Sequence, residues 1–292
     1  MITVTGATGH LGRLVVADLL DRGVPAEQIV AVVRTPDKAA DLAAQGVQVR
    51  TGDYDRPETL GAALAGTRKL LLVSGSEVGK RVPQHRNVID AAQAAGVDLI
   101  VYTSLLKADT TSVPLAAEHL PTEELIRASG LPFVLLRNGW YLENYTEMGL
   151  AQALASGAVI GSAGDGRVAA ATRADFAAAA AAVLTDPAAG KPGSVYELGG
   201  DQPFTLTELA AEITAVSGRQ VGYQDLPADV YAKALTDAGV PELFAQVLAA
   251  SDVGISRGEL TTDSGDLSRL IGRPTTSLGT ALRTAIAALP AS

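Results

Sequence analysis

Cysteine is absent from the 292 residues, which excludes disulfides, thiolate metal sites and cysteine nucleophiles. Aromatic side chains make up only 4% of the chain, and its lysines and arginines form no cluster. Nucleic-acid binding needs clustered cations with stacking aromatics, so that class is excluded. The charge balance is acidic, with 23 Lys+Arg against 32 Asp+Glu and a formal charge of −9. No apolar run reaches the roughly 20 residues of a membrane span. The longest candidate, the alanine-rich stretch Phe176–Leu184, suits a packed helix instead. Met1-Ile2-Thr3-Val4-Thr5 reads as a strand running into a turn, without the basic flank or cleavage site of a secretory signal. Three scattered histidines and no cysteine give no metal constellation, and no Gly-x-Ser-x-Gly elbow supports hydrolysis. A soluble, cytoplasmic protein with no metal, nucleic-acid or membrane partner is expected.

What the chain does have is apolar surface to bury: 47% of its residues are hydrophobic. Ile29–Val33, Val47–Arg50, Lys69–Val73, Leu99–Thr103 and Phe133–Leu136 are short β-branched or apolar runs, as parallel strands covered on both faces require. Helical segments alternate with them. Leu11, Leu14, Val15 and Leu19 share one helix face closed by Gly23. Thr35-Pro36 reads as an N-cap with proline at the first helical position, and Gly46 ends that helix. Pro57-Glu58 opens another, stopped near Gly66. Val88, Ile89 and Ala92 stripe a fourth, ending at Gly96, and Leu125 sits in a fifth, ending at Gly130. This alternation predicts an α/β fold, a doubly wound parallel sheet of Rossmann type with a smaller C-terminal substrate-binding region. Beyond Asn138 the rhythm loosens. Ser194–Leu198 reads as a further strand, Thr205 to Glu208 as a capping box opening a helix through Val216. Ala228–Ala238, Pro241–Ala250 and Thr276–Leu289 read as helices. The expected division is 1–140 for the doubly wound sheet and 141–292 for the substrate region, sharing a strand with the main sheet.

Thr5-Gly6-Ala7-Thr8-Gly9-His10-Leu11-Gly12 lies between a strand and a helix. In that context glycines tighten the turn, let backbone N–H groups reach a pyrophosphate, and bring a helix N-terminus to the phosphates. Alone, the spacing G-x-x-G-x-x-G is weak; in this position it is strong. An NAD site places an acid at the end of the second strand, about 20 residues on. Here the first polar residue is Arg34, whose guanidinium suits a 2′-phosphate, so NADPH is favoured over NADH. Gly52-Asp53-Tyr54-Asp55 and Ser74-Gly75-Ser76-Glu77 follow the next strands toward the same crevice. The first is a candidate adenine contact, the second a passage for ribose and nicotinamide; each also reads as a plain polar loop.

The fingerprint TGATGHLG, the strand AVVRTP, the segments GDYDRPETL and LLLVSGSEVGKRVPQHRNVIDAAQAAGV, then YTSLL, LRNGWYLENY, AATRADFAAAAAAVL and IGRPTTSL are together similar to the bacterial type 2 NAD(P)H:quinone oxidoreductases. These belong to the NmrA-like branch of the atypical short-chain dehydrogenase/reductases. The resemblance runs from Met1 to about Leu278. It implies that Gly6, Ala7, Thr8, Gly9, His10 and Leu11 wrap the pyrophosphate and Arg34 holds the 2′-phosphate. It further implies that Ser74, Gly75, Ser76, Glu77 and Val78 lie along the ribose. By the same resemblance Asn138, Gly139, Trp140, Tyr141, Leu142, Glu143 and Asn144 line the nicotinamide and quinone pocket, with Arg173 beside it. Lys107 is given no role.

The chain departs from the short-chain dehydrogenase pattern in its proton chemistry. Ser104 suits the usual serine, but the Tyr-x-x-x-Lys slots hold His119 and Glu123. A histidine four residues from a glutamate shares a helix face with it, so the pair reads either as an acid with its orienting carboxylate or as a helix pair without a role. Quinone reduction tolerates the loss, because a hydroquinone monoanion is a stabilised phenolate. Trp140 and Tyr141 read as an aromatic wall for a flat quinone, or as core packing. The expected activity is NADPH-dependent quinone reduction by direct hydride transfer without flavin. Two alternatives compete with it: an NADP(H)-binding redox sensor without turnover, and a reductase of a secondary-metabolite quinone or enone.

Overall fold

The computed structural model describes residues 1–289. In chain order the elements are β1 (Ile2–Thr5), α1 (His10–Asp21), β2 (Ile29–Val33), α2 (Ala40–Ala44), β3 (Gln48–Thr51), α3 (Leu60–Ala63), β4 (Lys69–Leu72), α4 (Arg81–Ala94), β5 (Leu99–Leu105), α5 (Ala116–Ala128), β6 (Phe133–Asn138), α6 (Glu143–Thr146), α7 (Leu150–Ser156), β7 (Ala158–Gly161), α8 (Arg173–Thr185), β8 (Ser194–Leu198), α9 (Leu206–Ser217), β9 (Gly222–Asp225), α10 (Ala228–Asp237), α11 (Glu242–Ser256), α12 (Asp266–Ile271) and α13 (Leu278–Ala288). Seven of the strands form one sheet in the order β3-β2-β1-β4-β5-β6-β8, every pair parallel. The winding reverses between β1 and β4, and ligands of such sheets bind outside the carboxyl ends of the strands at that point.

Side chains alternate across the sheet with period two. Ile29, Ala31 and Val33 of β2 and Val101 of β5 face one core, built with α1 and α8. Val30, Val32, Ile100 and Tyr102 face the other, built with α3 to α5. Ala177 to Ala182 of α8 are buried against the first core; with nothing larger than a methyl group they let α8 lie close to α1. A third apolar cluster, around Trp140, Leu150, Phe204, Leu209 and Leu282, fills the C-terminal half.

Several local expectations are corrected. Leu14 does not share the buried face of α1 and is 37% exposed. Thr35 makes no capping hydrogen bond; Pro36–Ala39 form a 3-10 turn before the short α2. The segment after Pro57 likewise starts as a 3-10 turn, Pro57–Thr59, before α3. In both places a proline start is followed by too few residues for a long helix. The Thr205–Glu208 capping box is present. Two strands had no sequence signal: β7 and β9 pair in parallel as a separate ribbon. β8 lies beside β6, which ties the C-terminal half to the main sheet.

Candidate active site

The crevice begins at the β1–α1 turn. Gly6 has φ +59°, a left-handed conformation that glycine adopts without strain, and Gly9 N–H closes the turn on the Gly6 carbonyl at 2.9 Å. A Cβ on Gly12 would lie 2.4 Å from Gly6 O, so only glycine lets α1 seat on this turn. No side chain caps α1 and no acid stands in its first turn, so its leading N–H groups are left to an anion. The side chains of Ala7 and Leu11 point into the core, so this stretch offers a ligand its backbone. His10 is exposed. The Tyr54 hydroxyl is tied to the ends of β1 and β4, at Thr5 Oγ1 and the Val73 carbonyl.

Arg34 follows β2 directly, with its side chain 67% exposed, and its Nη1 is 3.3 Å from Glu77 Oε1. Lys80 Nζ is 2.9 Å from the other Glu77 oxygen and holds the Glu77 carboxyl below its ordinary range. Arg34 is therefore paired with an acid from the loop after β4, 43 residues further on.

That loop, residues 74–80, is fastened from behind. Gly75 N–H donates to His85 Nε2 at 3.0 Å, and His85 Nδ1 is 3.0 Å from Thr122 Oγ1. The Thr122 hydroxyl gives its proton to the Glu118 carbonyl, so His85 Nδ1 is the donor and Nε2 the acceptor: the ring is neutral. Burial first, and then Arg81, push its pKa down to about 3. The Glu118 carboxylate accepts from Gly79 N, Arg81 N and Arg81 Nη1, and Arg81 Nε donates to the Gly75 carbonyl. His119 is also buried, with Nδ1 2.7 Å from Tyr102 Oη, and burial holds its pKa well below the usual value.

The folded state thus refuses two protons that the unfolded chain accepts below about pH 6.5. Stability is full above that pH and falls as pH drops toward 3, by about 1.4 kcal/mol per pH unit for His85 alone. Urea unfolding between pH 7 and 4.5 should show this slope, and His85→Gln, which keeps an acceptor for Gly75 N–H, should flatten it by about that amount. Equal slopes in the two proteins would sink the assignment.

The expected pairing of His119 with Glu123 is not formed. Glu123 is fully buried and spent on other partners: Ser104 Oγ at 2.6 Å, Arg137 Nε at 2.9 Å, Arg137 Nη2 at 2.8 Å and Arg127 Nη2 at 3.1 Å. Arg137 also reaches Glu197 and Asp109. The residues in the serine and lysine slots of the usual pattern, Ser104 and Glu123, are here joined to Arg137 in a structural network under β5 and β6.

Beyond β6 the chain turns along the crevice. Asn138 Oδ1 and Glu143 Oε2 are buried without a hydrogen-bond partner among the described residues. Buried polar atoms are rarely left so, and these two stand at the end of β6 and the start of α6. Trp140 is 7% exposed and packs in the C-terminal apolar cluster with Leu142. Tyr141 is half-buried, edge-on to Phe176 at 5.4 Å and under the Arg173 guanidinium at 5.2 Å. Of the aromatic pair, Tyr141 is the one beside Asn138 and Arg173. Sequence reasoning missed Arg81, Glu118 and Thr122, whose roles depend on contacts between α4, α5 and the loop. No helix among the described residues is long and apolar enough to cross a membrane, and no group of three or more His, Asp or Glu among them suits a metal ion.

A glycine turn at the switch point, a cation after β2 and orphaned polar atoms after β6 define a dinucleotide-binding reductase-type site on a Rossmann sheet. The chain belongs to the NmrA-like family, whose model matches residues 1–272. It is 57% identical over 278 residues to quinone oxidoreductase 2 of Escherichia coli (strain K12), covering 95% of this chain and 96% of that one. It is 32% identical over 250 residues to an NAD(P)H azoreductase of Xenophilus azovorans, covering 85% of each. Among solved structures it resembles the NADPH-dependent quinone oxidoreductase of E. coli in complex with NADPH, with a TM-score of 0.94, 55% identity, and coverage of 98% of this chain and 100% of that one. The triphenylmethane reductase of Citrobacter sp. complexed with NADP(H) matches with a TM-score of 0.93 and 44% identity, over 98% and 100% of the two chains.

Proposed function

We propose that this chain is an NADPH-dependent quinone oxidoreductase that works by direct hydride transfer without flavin. The observation that carries this reading is the full-length likeness to the NADPH-bound E. coli enzyme, joined to a site whose residues fit the cofactor. The backbone of Gly6 to Leu11 holds the pyrophosphate, Arg34 the 2′-phosphate, and the loop Ser74–Val78 lies along the ribose. Asn138 and Glu143, with their unpartnered oxygens, border the nicotinamide and quinone together with Gly139, Tyr141 and Arg173, while Trp140 and Leu142 back that wall from the core. NADPH, when bound, supplies a hydride. The protein's contribution is chiefly placement in a water-poor crevice, which is worth a large share of such a barrier. A quinone asks for little acid help, so the absence of the Tyr-x-x-x-Lys dyad is no obstacle. The test is NADPH oxidation followed spectrophotometrically with a panel of quinones, with NADH alongside. Tight NADPH binding with no turnover on any quinone would overturn the reading in favour of a redox sensor.

Arg34 sets the cofactor preference in this reading. Arg34→Ala should remove about 1–3 kcal/mol of the preference for NADPH over NADH, the scale of a charge-assisted hydrogen bond. Calorimetry on both cofactors measures it directly. Equal affinity for NADPH and NADH in the unmutated protein would refute the role.

A further inference from the structure

The Arg34–Glu77 ion pair crosses the switch point of the sheet. Arg34 follows β2, Glu77 lies on the loop after β4, and in the sheet order those two strands flank β1. The pair therefore spans the carboxyl end of β1, where the glycine turn begins. The contact is single and long: Arg34 Nη1 donates to Glu77 Oε1 at 3.3 Å, against about 2.7–2.9 Å for a good charge-assisted bond. Both side chains are open to solvent, at 67% and 37% exposure, and pairs of that kind are weak. The carboxylate has a second cation at closer range, Lys80 Nζ at 2.9 Å from Oε2. Asp55 also acts on Lys80, while its own Oδ2 accepts from Gln84 Nε2. The loop backbone on either side of Glu77 is held, with Gly75 N on His85 and Gly79 N on Glu118. The carboxylate can thus leave Arg34 by turning about its own side-chain bonds, with Lys80 left as its partner.

The guanidinium proposed to hold the 2′-phosphate therefore already carries an anion of the chain itself. We infer that Glu77 is a specificity-determining residue: its carboxylate competes with the 2′-phosphate of NADPH for Arg34, and so weakens NADPH binding while leaving NADH binding alone. This rests on the assignment of Arg34 to the 2′-phosphate made above. A phosphate monoester carries about two negative charges at neutral pH, and its oxygens match the guanidinium fork with two parallel bonds. It displaces a single long contact. The 2′-hydroxyl of NADH is uncharged and leaves the ion pair closed. Displacing Glu77 is thus a cost that falls on NADPH alone, and the chain discriminates between the two cofactors less sharply than Arg34 by itself would make it.

Calorimetry with NADPH and NADH on a Glu77→Gln variant of the full chain tests this. Glutamine keeps the size of the side chain and an oxygen for Lys80, and removes only the charge. NADPH affinity should rise about two- to fivefold, the range of an exposed ion pair, and NADH affinity should stay within about 1.5-fold. The gain should fade in about 0.5 M salt, where exposed charges are screened; a change in loop packing would not respond in that way. In an Arg34→Ala background the same substitution should move NADPH affinity by less than about 1.5-fold, since the two residues act as a coupled pair. A gain below about twofold in the parent background overturns the proposal. So does an equal gain for NADH, or an equal gain in the absence of Arg34. An Arg34→Ala protein with an unchanged ratio of NADPH to NADH affinity overturns the assignment of Arg34 itself, a separate outcome.

Discussion

Replacing Glu123 by alanine should lower the unfolding free energy by about 3–5 kcal/mol, the cost of leaving a buried charge without its partner. The carboxylate is fully buried and neutralises Arg137, itself 4% exposed. Without it the guanidinium keeps only Glu197 and Asp109, which stand nearer solvent at 28% and 53% side-chain exposure. Ser104 Oγ loses its acceptor in the same change. The double variant Glu123→Leu with Arg137→Met should recover most of the loss, because removing both charges removes the desolvation problem with them. Urea unfolding of the three proteins measures this. A loss below about 1 kcal/mol in Glu123→Ala, less than one ordinary buried hydrogen bond, would mean that the pair is not the keystone of β5, β6 and α5.

Gly9→Val should abolish measurable NADPH binding, a weakening of at least about a hundredfold or about 3 kcal/mol, while the protein stays folded. Gly9 has φ −77° and ψ 167°, a region valine accepts, and its Cβ would sit 3.2 Å from Gly6 O, a contact that a small shift relieves. The position is exposed, so the branched side chain would stand over the N–H groups at the start of α1, where the phosphates approach. Gly12→Ala is the contrasting case: its Cβ meets Gly6 O at 2.4 Å and Ala7 Cα at 2.9 Å, and the fold itself should suffer. Calorimetry with NADPH, together with circular dichroism, separates the two. Retained affinity in Gly9→Val would remove the turn from the cofactor site.

The parallel sheet was legible because strands covered on both faces must be continuous apolar runs: β2 is five buried residues with no polar interruption. β7 and β9 escaped because each is four residues long and exposed or half-buried along most of its length, which leaves no period to read. The glycine turn after β1 and the place of Arg34 after β2 were legible because they are local, fixed by their distance from a strand end. The His119–Glu123 pairing was misread for the converse reason. Spacing of four puts the two on one helix face, but the partner that claims Glu123 arrives from β6, and no spacing rule reports a contact between elements. Glu77 meets Arg34 in the same way, across 43 residues.

The way Gly75 and Gly79 hang from His85 and Glu118 has a kinetic consequence. These amides donate to side chains rooted in α4 and α5, so the loop that borders the crevice cannot open without breaking those hydrogen bonds. Its ordering is settled at folding and not at ligand encounter. The crevice therefore meets its cofactor as a ready surface, where association is governed by diffusion and steering, and differences in affinity are expressed as differences in how long the complex lives.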